Sequence, residues 1–242
     1  MLVAIPSKGR AGKVKSQKLL PDASTLFVPA AETDAYDRLG GRNIVAVPDD
    51  VLGITRTRNW ILDWADAQGE PWVVFIDDDV KVSGWIELLP FRGKHRKMQE
   101  AAFLEEWVKL FDLTAQMNYR IWGLDTAGAL RSVYPYHPFR FQTYVTASCM
   151  GIRNDTGIRF DEDFPVKEDY EMALRCIVED GGILGAQYFY WVNAHWAEDG
   201  GCKAYRTGEM EKDCIDRLIK MYPGIIRRVK RSGNDYSIQL DF

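Results

Sequence analysis

Three consecutive carboxylates, Asp77, Asp78 and Asp79, are the residues of this chain whose type and spacing most clearly predict chemistry. They follow an apolar run, Trp72–Ile76, whose β-branched residues predict a buried central strand. Three adjacent negative charges repel one another, and at the carboxyl end of a strand they point into the crevice where open α/β sheets bind ligands. A hard divalent cation would compensate this charge and leave positions for water and diphosphate oxygens. The alternative is a solvated acidic turn, against which the preceding apolar strand argues.

Two arginines, Arg56 and Arg58, stand at the predicted start of a helix about twenty residues before the aspartates. Arginine offers a rigid fork of donors to a diphosphate, and a helix N-terminus favours anions. An exposed surface arginine is an equally weighted alternative for each. Further along, Glu168 and Asp169 are candidates for a carboxylate base that takes the proton from a hydroxyl nucleophile, with Asp169 the first choice. The same pair could instead cap the helix that follows.

The elements that would position these residues alternate along the chain. Short apolar runs follow helical patterns in a rhythm that favours a parallel, doubly wound sheet. The predicted strands are residues 2–5, 25–28, 43–47, 72–76, 120–123, 144–150 and 188–192. The predicted helices are residues 13–20, 32–39, 54–65, 100–111, 169–180 and 209–221. Residues 92–97 are predicted to form a basic loop.

The order of these landmarks resembles that of nucleotide-sugar glycosyltransferases of the GT-A fold, over residues 53–180. The residues that carry the resemblance are Gly53 to Asn59, the aspartate triplet, Gly151-Ile152-Arg153, Arg159-Phe160-Asp161-Glu162, Glu168-Asp169 and Arg175. The resemblance implies an α/β fold of the GT-A type, with a Rossmann-like doubly wound mixed sheet in a single domain and a helical C-terminal extension. It also implies an inverting transferase that uses a UDP-sugar and Mn²⁺ or Mg²⁺.

The resemblance further implies a role for each matching position. The implied nucleotide-sugar-binding residues are Pro6, Ser7, Lys8, Arg10, Arg56, Arg58, Asn59, Asp77 and Asp78. Asp78 could alternatively point back into the fold. The implied metal ligands are Asp79, Asp77 and His195. His195 follows the last aromatic strand, and a surface histidine is the alternative for it. Asp169 or Glu168 would be the catalytic base.

The start of the chain, residues 5–10, resembles more specifically a bacteriophage subgroup, the TET-associated glycosyltransferases. This resemblance implies 5-hydroxymethylcytosine in double-stranded DNA as acceptor, with the base flipped out of the duplex. The candidate acceptor-binding residues are Arg153, Tyr136 and Phe139. Two basic clusters, residues 92–97 and 227–231, could follow a phosphate backbone, although such clusters are usually solvated surface. The net charge of −4 suits a small-molecule, glycan or protein acceptor equally well.

The 242 residues, 46% of them apolar, suffice for one α/β domain. We expect a glycosyltransferase domain over residues 1–199, with a nucleotide-sugar half at 1–80 and an acceptor half at 81–199. Residues 200–242 would form a C-terminal lid and helical extension of the same domain. No run is apolar enough to span a membrane and the four cysteines have no zinc spacing. A cytoplasmic protein with reduced thiols is expected, in the host cytoplasm if phage-encoded.

Two other functions share some of these features. A nucleotidyltransferase acting on sugar phosphates has similar layers and also needs a metal, but residues 6–10 supply too little of its glycine-rich, arginine-lysine signature. A non-catalytic sugar- or DNA-binding module could keep the same fold. The presence of both the aspartate triplet and the Glu-Asp pair argues for an enzyme.

Overall fold

The computed structural model describes residues 1–89, 92–124, 137–193, 205–231 and 234–241. The strands within these ranges are β1 (Leu2–Pro6), β2 (Ser24–Pro29), β3 (Ile44–Val47), β4 (Trp72–Ile76), β5 (Val80–Leu89), β6 (Arg92–Lys97), β7 (Ile121–Leu124), β8 (Phe139–Arg140), β9 (Cys149–Arg153), β10 (Leu184–Ala186), β11 (Phe189–Asn193), β12 (Ile226–Arg231) and β13 (Asn234–Leu240). The α-helices are α1 (Thr33–Arg38), α2 (Ile54–Ala67), α3 (Glu100–Gln116), α4 (Glu168–Asp180) and α5 (Gly208–Met221).

Eight strands form one mixed sheet in the order β3-β2-β1-β4-β9-β7-β10-β8. The first four strands of this order run parallel, and β9 is antiparallel to both of its neighbours, β4 and β7. The carboxyl end of β4 therefore meets the amino end of β9 at one edge of the sheet. Because Ile76 pairs with Cys149, Asp77 comes next to Ser148 at this edge. This is the doubly wound mixed sheet predicted for a GT-A fold.

Helices cover both faces of the large sheet. In β1, Leu2 and Ala4 pack in the core under α2 and α4, whereas Val3 and Ile5 pack in the core under α1 and α3. All four side chains are buried, because a strand covered on both faces needs apolar residues at every position. Burying a Leu, Val or Ile side chain contributes roughly 1.5–3 kcal/mol. The two cores therefore hold firmly the strands that end at the site.

Gly151 in β9 is required by packing. It lies opposite Trp122 of β7, and a Cβ at Gly151 would come 2.1 Å from the Trp122 ring. Trp122 is fully buried and packs edge-on against Phe111 of α3, with 5.4 Å between ring centroids. Any larger residue at Gly151 would displace this ring and disturb the strand that leads from the site.

The C-terminal region forms a third core with the start of α4. α5 and the antiparallel pair β12–β13 pack around Phe164, Leu174, Ile215 and Ile238. The sequence predicted the helix but not the strand pair, because the basic residues at 227–231 obscure an alternating apolar pattern.

Three local predictions were wrong. Residues 92–97 form β6, paired along β5, instead of a loop, because cross-strand hydrogen bonds form there without apolar alternation. Residues 13–20 contain only the 3₁₀ turn Ser16–Lys18 instead of a helix. Just before this turn, the Lys15 amide donates a hydrogen bond to the Asp78 carbonyl at 2.8 Å. Of the predicted strand 144–150, only the end is strand, because residues 144–148 contact the site instead of pairing regularly.

None of the described helices is long and apolar enough to cross a lipid bilayer. Cys149, Cys176 and Cys214 are buried free thiols, as the sequence predicted, and Cys202 lies outside the described residues. Burial raises the pKa of the Cys149 and Cys176 thiols to about 12, so both are protonated packing residues.

Candidate functional site

Asp77 is the first residue beyond β4 and lies at the carboxyl edge of the sheet. Its Oδ1 is 3.0 Å from Nη2 of Arg58, and its Oδ2 accepts a hydrogen bond from the Ser148 hydroxyl at 2.7 Å. Ser148 Oγ in turn accepts a hydrogen bond from the Asn193 side chain at 3.0 Å. The Asp77 side chain keeps 32% of its surface exposed. This carboxylate is therefore oriented by the protein and open to a ligand.

Arg58 is brought to Asp77 by the first turns of α2. Gly53 precedes the helix as its N-cap, and its φ of 88° is a conformation that glycine adopts most easily. The guanidinium carbon lies 5.9 and 5.7 Å from the ring centroids of Phe75 and Phe160. Only 4% of the Arg58 side chain is exposed. The two aromatic contacts hold the buried cation in one place.

The second partner of Arg58 is Glu168, whose Oε1 pairs with Nη1 at the start of α4. Glu168 is buried, and burial raises the pKa of its carboxyl group. The positive charge of Arg58 opposes this rise. We call Asp77, Arg58, Ser148 and Glu168 the crevice cluster. Asp169, the next residue, is partly exposed. The structure thus brings the predicted metal-binding and base segments together through one arginine.

Asp78 has a different environment from Asp77. It is 6% exposed, its Oδ2 accepts a hydrogen bond from Ser7 Oγ at 2.6 Å, and its Oδ1 pairs with Arg10. Ser7 Oγ is also 2.8 Å from the Tyr36 hydroxyl. Burial raises the pKa of Asp78 to about 6, and the bonds from Ser7 and Arg10 oppose that shift. The carboxylate points back into the fold, and we call Asp78, Ser7, Arg10 and Tyr36 the inner cluster.

The remaining predicted residues of the nucleotide-sugar site differ in exposure. Asn59 is buried and exchanges two hydrogen bonds with the Phe160 backbone, at 2.8 and 2.9 Å. It therefore holds the segment before α4 against α2. Arg56 is exposed in the first turn of α2. Pro6 is buried at the end of β1, and Lys8 is exposed on the loop that follows.

Asp77 and Asp79 carry hard oxygen donors and are both partly exposed, with Oδ1 of Asp79 buried. Among the described residues, no three His, Cys, Asp or Glu side chains cluster as a complete metal site. His195 lies outside the described residues. Mg²⁺ is commonly bound by one or two carboxylates together with substrate phosphates and water, so the two aspartates fit a cation shared with a diphosphate.

Two of the predicted acceptor residues, Arg153 and Phe139, lie away from the crevice. Because β9 runs antiparallel to β4, Arg153 pairs with Trp72 at the opposite end of the strand from Asp77, about 16 Å away for five residues of strand. Phe139, in β8, lies four strands from β4. Tyr136 lies outside the described residues. The antiparallel direction of β9, which the sequence does not reveal, removes Arg153 from the site.

The two basic clusters are strands. Residues 92–97 form β6, and residues 227–231 belong to β12. In β12, Arg227 pairs with Asp241 and Arg228 with Asp216. These acidic partners reduce the positive charge that β12 presents.

Three site residues were not identified from the sequence, namely Ser148, Asn193 and Tyr36. They come from the approach to β9, the end of β11 and the middle of α1. Their only signal is a polar side chain near the end of an element or in a short helix, which is too common to single them out. Long-range contacts place them at the site: Tyr36 contacts Ser7, Ser148 contacts Asp77, and Asn193 contacts Ser148.

The doubly wound mixed sheet carries carboxylates and an arginine at its carboxyl edge, which is the arrangement predicted for the GT-A fold. The model of the TET-associated glycosyltransferase family matches residues 1–201. The chain therefore belongs to that family and is a glycosyltransferase.

Similar solved structures include TarS from S. aureus, at 12% identity and a TM-score of 0.46, covering 90% of this chain and 40% of that one. The chain thus spans about two fifths of TarS. A protein from Desulfovibrio desulfuricans G20 described as a nucleotide-diphospho-sugar transferase matches at 12% identity and a TM-score of 0.43, covering 91% and 97% of the two chains. The galactosyltransferase LgtC matches at 14% identity and a TM-score of 0.31, covering 75% and 65%. No curated protein sequence matches the chain.

Proposed function

We propose that the protein transfers a sugar from a UDP-sugar, with inversion, to the hydroxyl of 5-hydroxymethylcytosine in double-stranded DNA. The observation that carries the proposal is the bridge through Arg58. This buried guanidinium contacts Asp77, 19 residues away in sequence, and Glu168, 110 residues away. The bridge supports a single crevice with the donor on the side of residues 1–80 and the acceptor on the side of residues 81–199. Residues 200–242 would be the C-terminal lid and extension.

On the donor side, Asp77 and Asp79 would hold Mn²⁺ or Mg²⁺, with His195 as a further ligand. The side chain of Asn193, two residues before His195, already contacts Ser148 of the crevice cluster, which supports this assignment. When bound, the cation would offset negative charge on the departing diphosphate. Pro6, Ser7, Lys8 and Arg10 belong to the segment proposed for the uracil and ribose.

The two arginines of α2 would have different roles. Arg58 is buried between two carboxylates, so we assign to it the positioning of Asp77 and Glu168. Arg56 is exposed in the first turn of the helix and is the better candidate for the diphosphate, because a helix N-terminus and a guanidinium both favour an anion.

Asp169 would be the base. It is partly exposed, whereas the adjacent Glu168 is buried against Arg58. The acceptor hydroxyl would lose its proton to Asp169 as its oxygen attacks the anomeric carbon and the sugar–phosphate bond breaks. Glu168 would keep Arg58, and through it Asp77, in position.

The DNA acceptor rests on the family assignment and on the start of the chain, residues 5–10. Reaching a base in a duplex would require flipping it out of the stack. A small-molecule, glycan or protein acceptor is the second candidate. The net charge of −4 and the acidic partners of Arg227 and Arg228 favour it, since a DNA-binding face needs unneutralised positive charge.

The test is release of UDP from a panel of UDP-sugars in the presence of Mn²⁺, with and without hydroxymethylated duplex DNA. We expect one sugar to be turned over, faster with the modified duplex than with an unmodified one. EDTA should abolish the reaction and added Mn²⁺ should restore it. Asp169→Asn should lower kcat by about 10²–10⁴-fold, the usual contribution of a general base. Asp63→Asn, an exposed carboxylate bound to Arg159, is the matched control.

The outcomes separate the parts of the proposal. No UDP release from any sugar with any acceptor would contradict the donor assignment. Turnover with small alcohols, glycans or proteins but not with modified DNA would reject only the DNA acceptor. Activity that survives EDTA would reject the metal.

A further inference from the structure

The irregular segment of residues 144–148 contacts both sides of the crevice. At one end, the Tyr144 hydroxyl donates a hydrogen bond to Asp169 Oδ2 at 2.5 Å. At the other end, Ser148 Oγ donates to Asp77 Oδ2 at 2.7 Å. Thr146 Oγ1, between them, lies 3.2 Å from Ser148 Oγ. One short stretch of chain therefore sets the spacing between the carboxylate at the end of β4 and the one at the start of α4.

The Tyr144 ring is fixed by its neighbours. It stacks on the ring of Tyr170 with 3.7 Å between centroids and an interplanar angle of 11°. Lys167 Nζ lies 5.3 Å from the centroid of the Tyr170 ring. Burial raises the pKa of Tyr144 well above its ordinary value, and the nearby charge of Asp169 raises it further. The phenol therefore stays protonated at neutral pH and acts as a hydrogen-bond donor.

The hydrogen bonds to Asp169 leave the two carboxylate oxygens unequal. Oδ2 accepts from Tyr144 and, at 3.5 Å, from the Ala147 amide. Oδ1 accepts from the Tyr170 amide at 2.9 Å. Each carboxylate oxygen has about two acceptor positions, and the hydrogen bonds from the described residues occupy both positions on Oδ2 and one on Oδ1. Oδ1 keeps a position for an incoming hydroxyl.

We infer that Tyr144 is a positioning residue for the base: it holds Oδ2 of Asp169 and so directs Oδ1 to the acceptor hydroxyl. This inference rests on the proposed function. The acceptor proton goes to Oδ1, the acceptor oxygen bonds to the anomeric carbon, and the sugar–phosphate bond breaks with its electron pair leaving on UDP. Tyr144 takes no proton in this step. It limits the rotation of the carboxylate that receives one.

Tyr144→Phe tests the inference, because phenylalanine keeps the stacked ring and removes only the hydroxyl. With the preferred UDP-sugar and acceptor, we expect kcat to fall about tenfold, as for loss of one oriented hydrogen bond, while KM for both substrates changes less than about twofold. The matched control is Tyr222→Phe. It removes a hydroxyl that lies 3.4 Å from Glu171, a residue of the same helix, α4, as Asp169. Tyr222 itself belongs to the C-terminal core. It should leave kcat and both KM values near those of the wild type.

The outcomes for these variants separate the positioning role of Tyr144 from the proposed function. A wild-type protein without turnover, or an Asp169→Asn variant as active as the wild type, would contradict the proposed function or its base. If Asp169→Asn is inactive but Tyr144→Phe keeps full kcat, the positioning role is rejected alone. A fall in kcat that Tyr222→Phe reproduces, or a parallel rise in both KM values, would point to general destabilisation and also reject it.

Discussion

The crevice cluster and the inner cluster are built on adjacent residues from the same three kinds of side chain, yet they differ in exposure. Asp77 and Asp78 each contact an arginine and a serine hydroxyl. The Asp77 side chain is 32% exposed and the Asp78 side chain 8%. In the turn after β4, consecutive side chains leave the chain in different directions. Residue types alone therefore do not separate a ligand-binding carboxylate from a structural one.

Asp77 and Asp78, although adjacent, therefore have different roles. Removing Asp78 would take from Arg10, whose side chain is 12% exposed, one carboxylate contact in a largely buried place. The Asp78 carbonyl also accepts the Lys15 amide, so this residue joins the turn to the loop after β1. Asp77 instead keeps a face towards the crevice. We expect mutations in the inner cluster to lower stability and mutations in the crevice cluster to lower activity.

The largest expected effect is that of Asp77→Asn on turnover. Because the amide carries no charge for a cation or for Arg58, we expect kcat/KM to fall about 1,000-fold, equivalent to about 4 kcal/mol. The free energy of unfolding should change by less than about 1 kcal/mol, since the side chain is a third exposed. Initial rates of UDP release and urea denaturation measure the two quantities. An activity within tenfold of the wild type would remove Asp77 from the chemistry.

The next effect is that of Asp78→Asn on stability. The substitution keeps the shape but weakens the contacts with Ser7 and Arg10, while it also removes a charge that burial disfavours, so we expect the free energy of unfolding to fall by about 2 kcal/mol. Urea denaturation, run beside Asp77→Asn, gives the comparison directly. A loss for Asp78→Asn no larger than that for Asp77→Asn would mean that the two clusters do not differ as described.

The smallest effects come from the two serines, which form a matched pair. Ser7 and Ser148 are both buried, 6% and 4% exposed, and each donates to an aspartate. We expect Ser7→Ala to lower the free energy of unfolding by about 1–2 kcal/mol. We expect Ser148→Ala to lower kcat about tenfold, because Asp77 would lose one of its two orienting contacts. If both changes had equal effects on unfolding and on kcat, the inner cluster and the crevice cluster would not have different roles.

Much of the fold was predictable because it is local. The strand Trp72–Ile76 was predicted to the residue, since five consecutive apolar residues before the triplet have no other simple reading. The start of α4 was predicted to within one residue, and the resemblance of residues 5–10 to the TET-associated glycosyltransferases was confirmed by the family match over residues 1–201. β5, β6 and the pair β12–β13 were missed, because their sequences show no clear apolar period.

The sequence by itself determined which residues could do chemistry: an acidic triplet after a buried strand, arginines at a helix start and a Glu-Asp pair before another helix. Their order along the chain was enough to predict the class of enzyme. Only the tertiary structure decided their partners, placing Arg58 between Asp77 and Glu168, turning Asp78 towards Ser7 and putting Arg153 at the far end of β9. The physical reason is that periodicity specifies local conformation, whereas strand direction and burial depend on contacts between residues far apart in sequence.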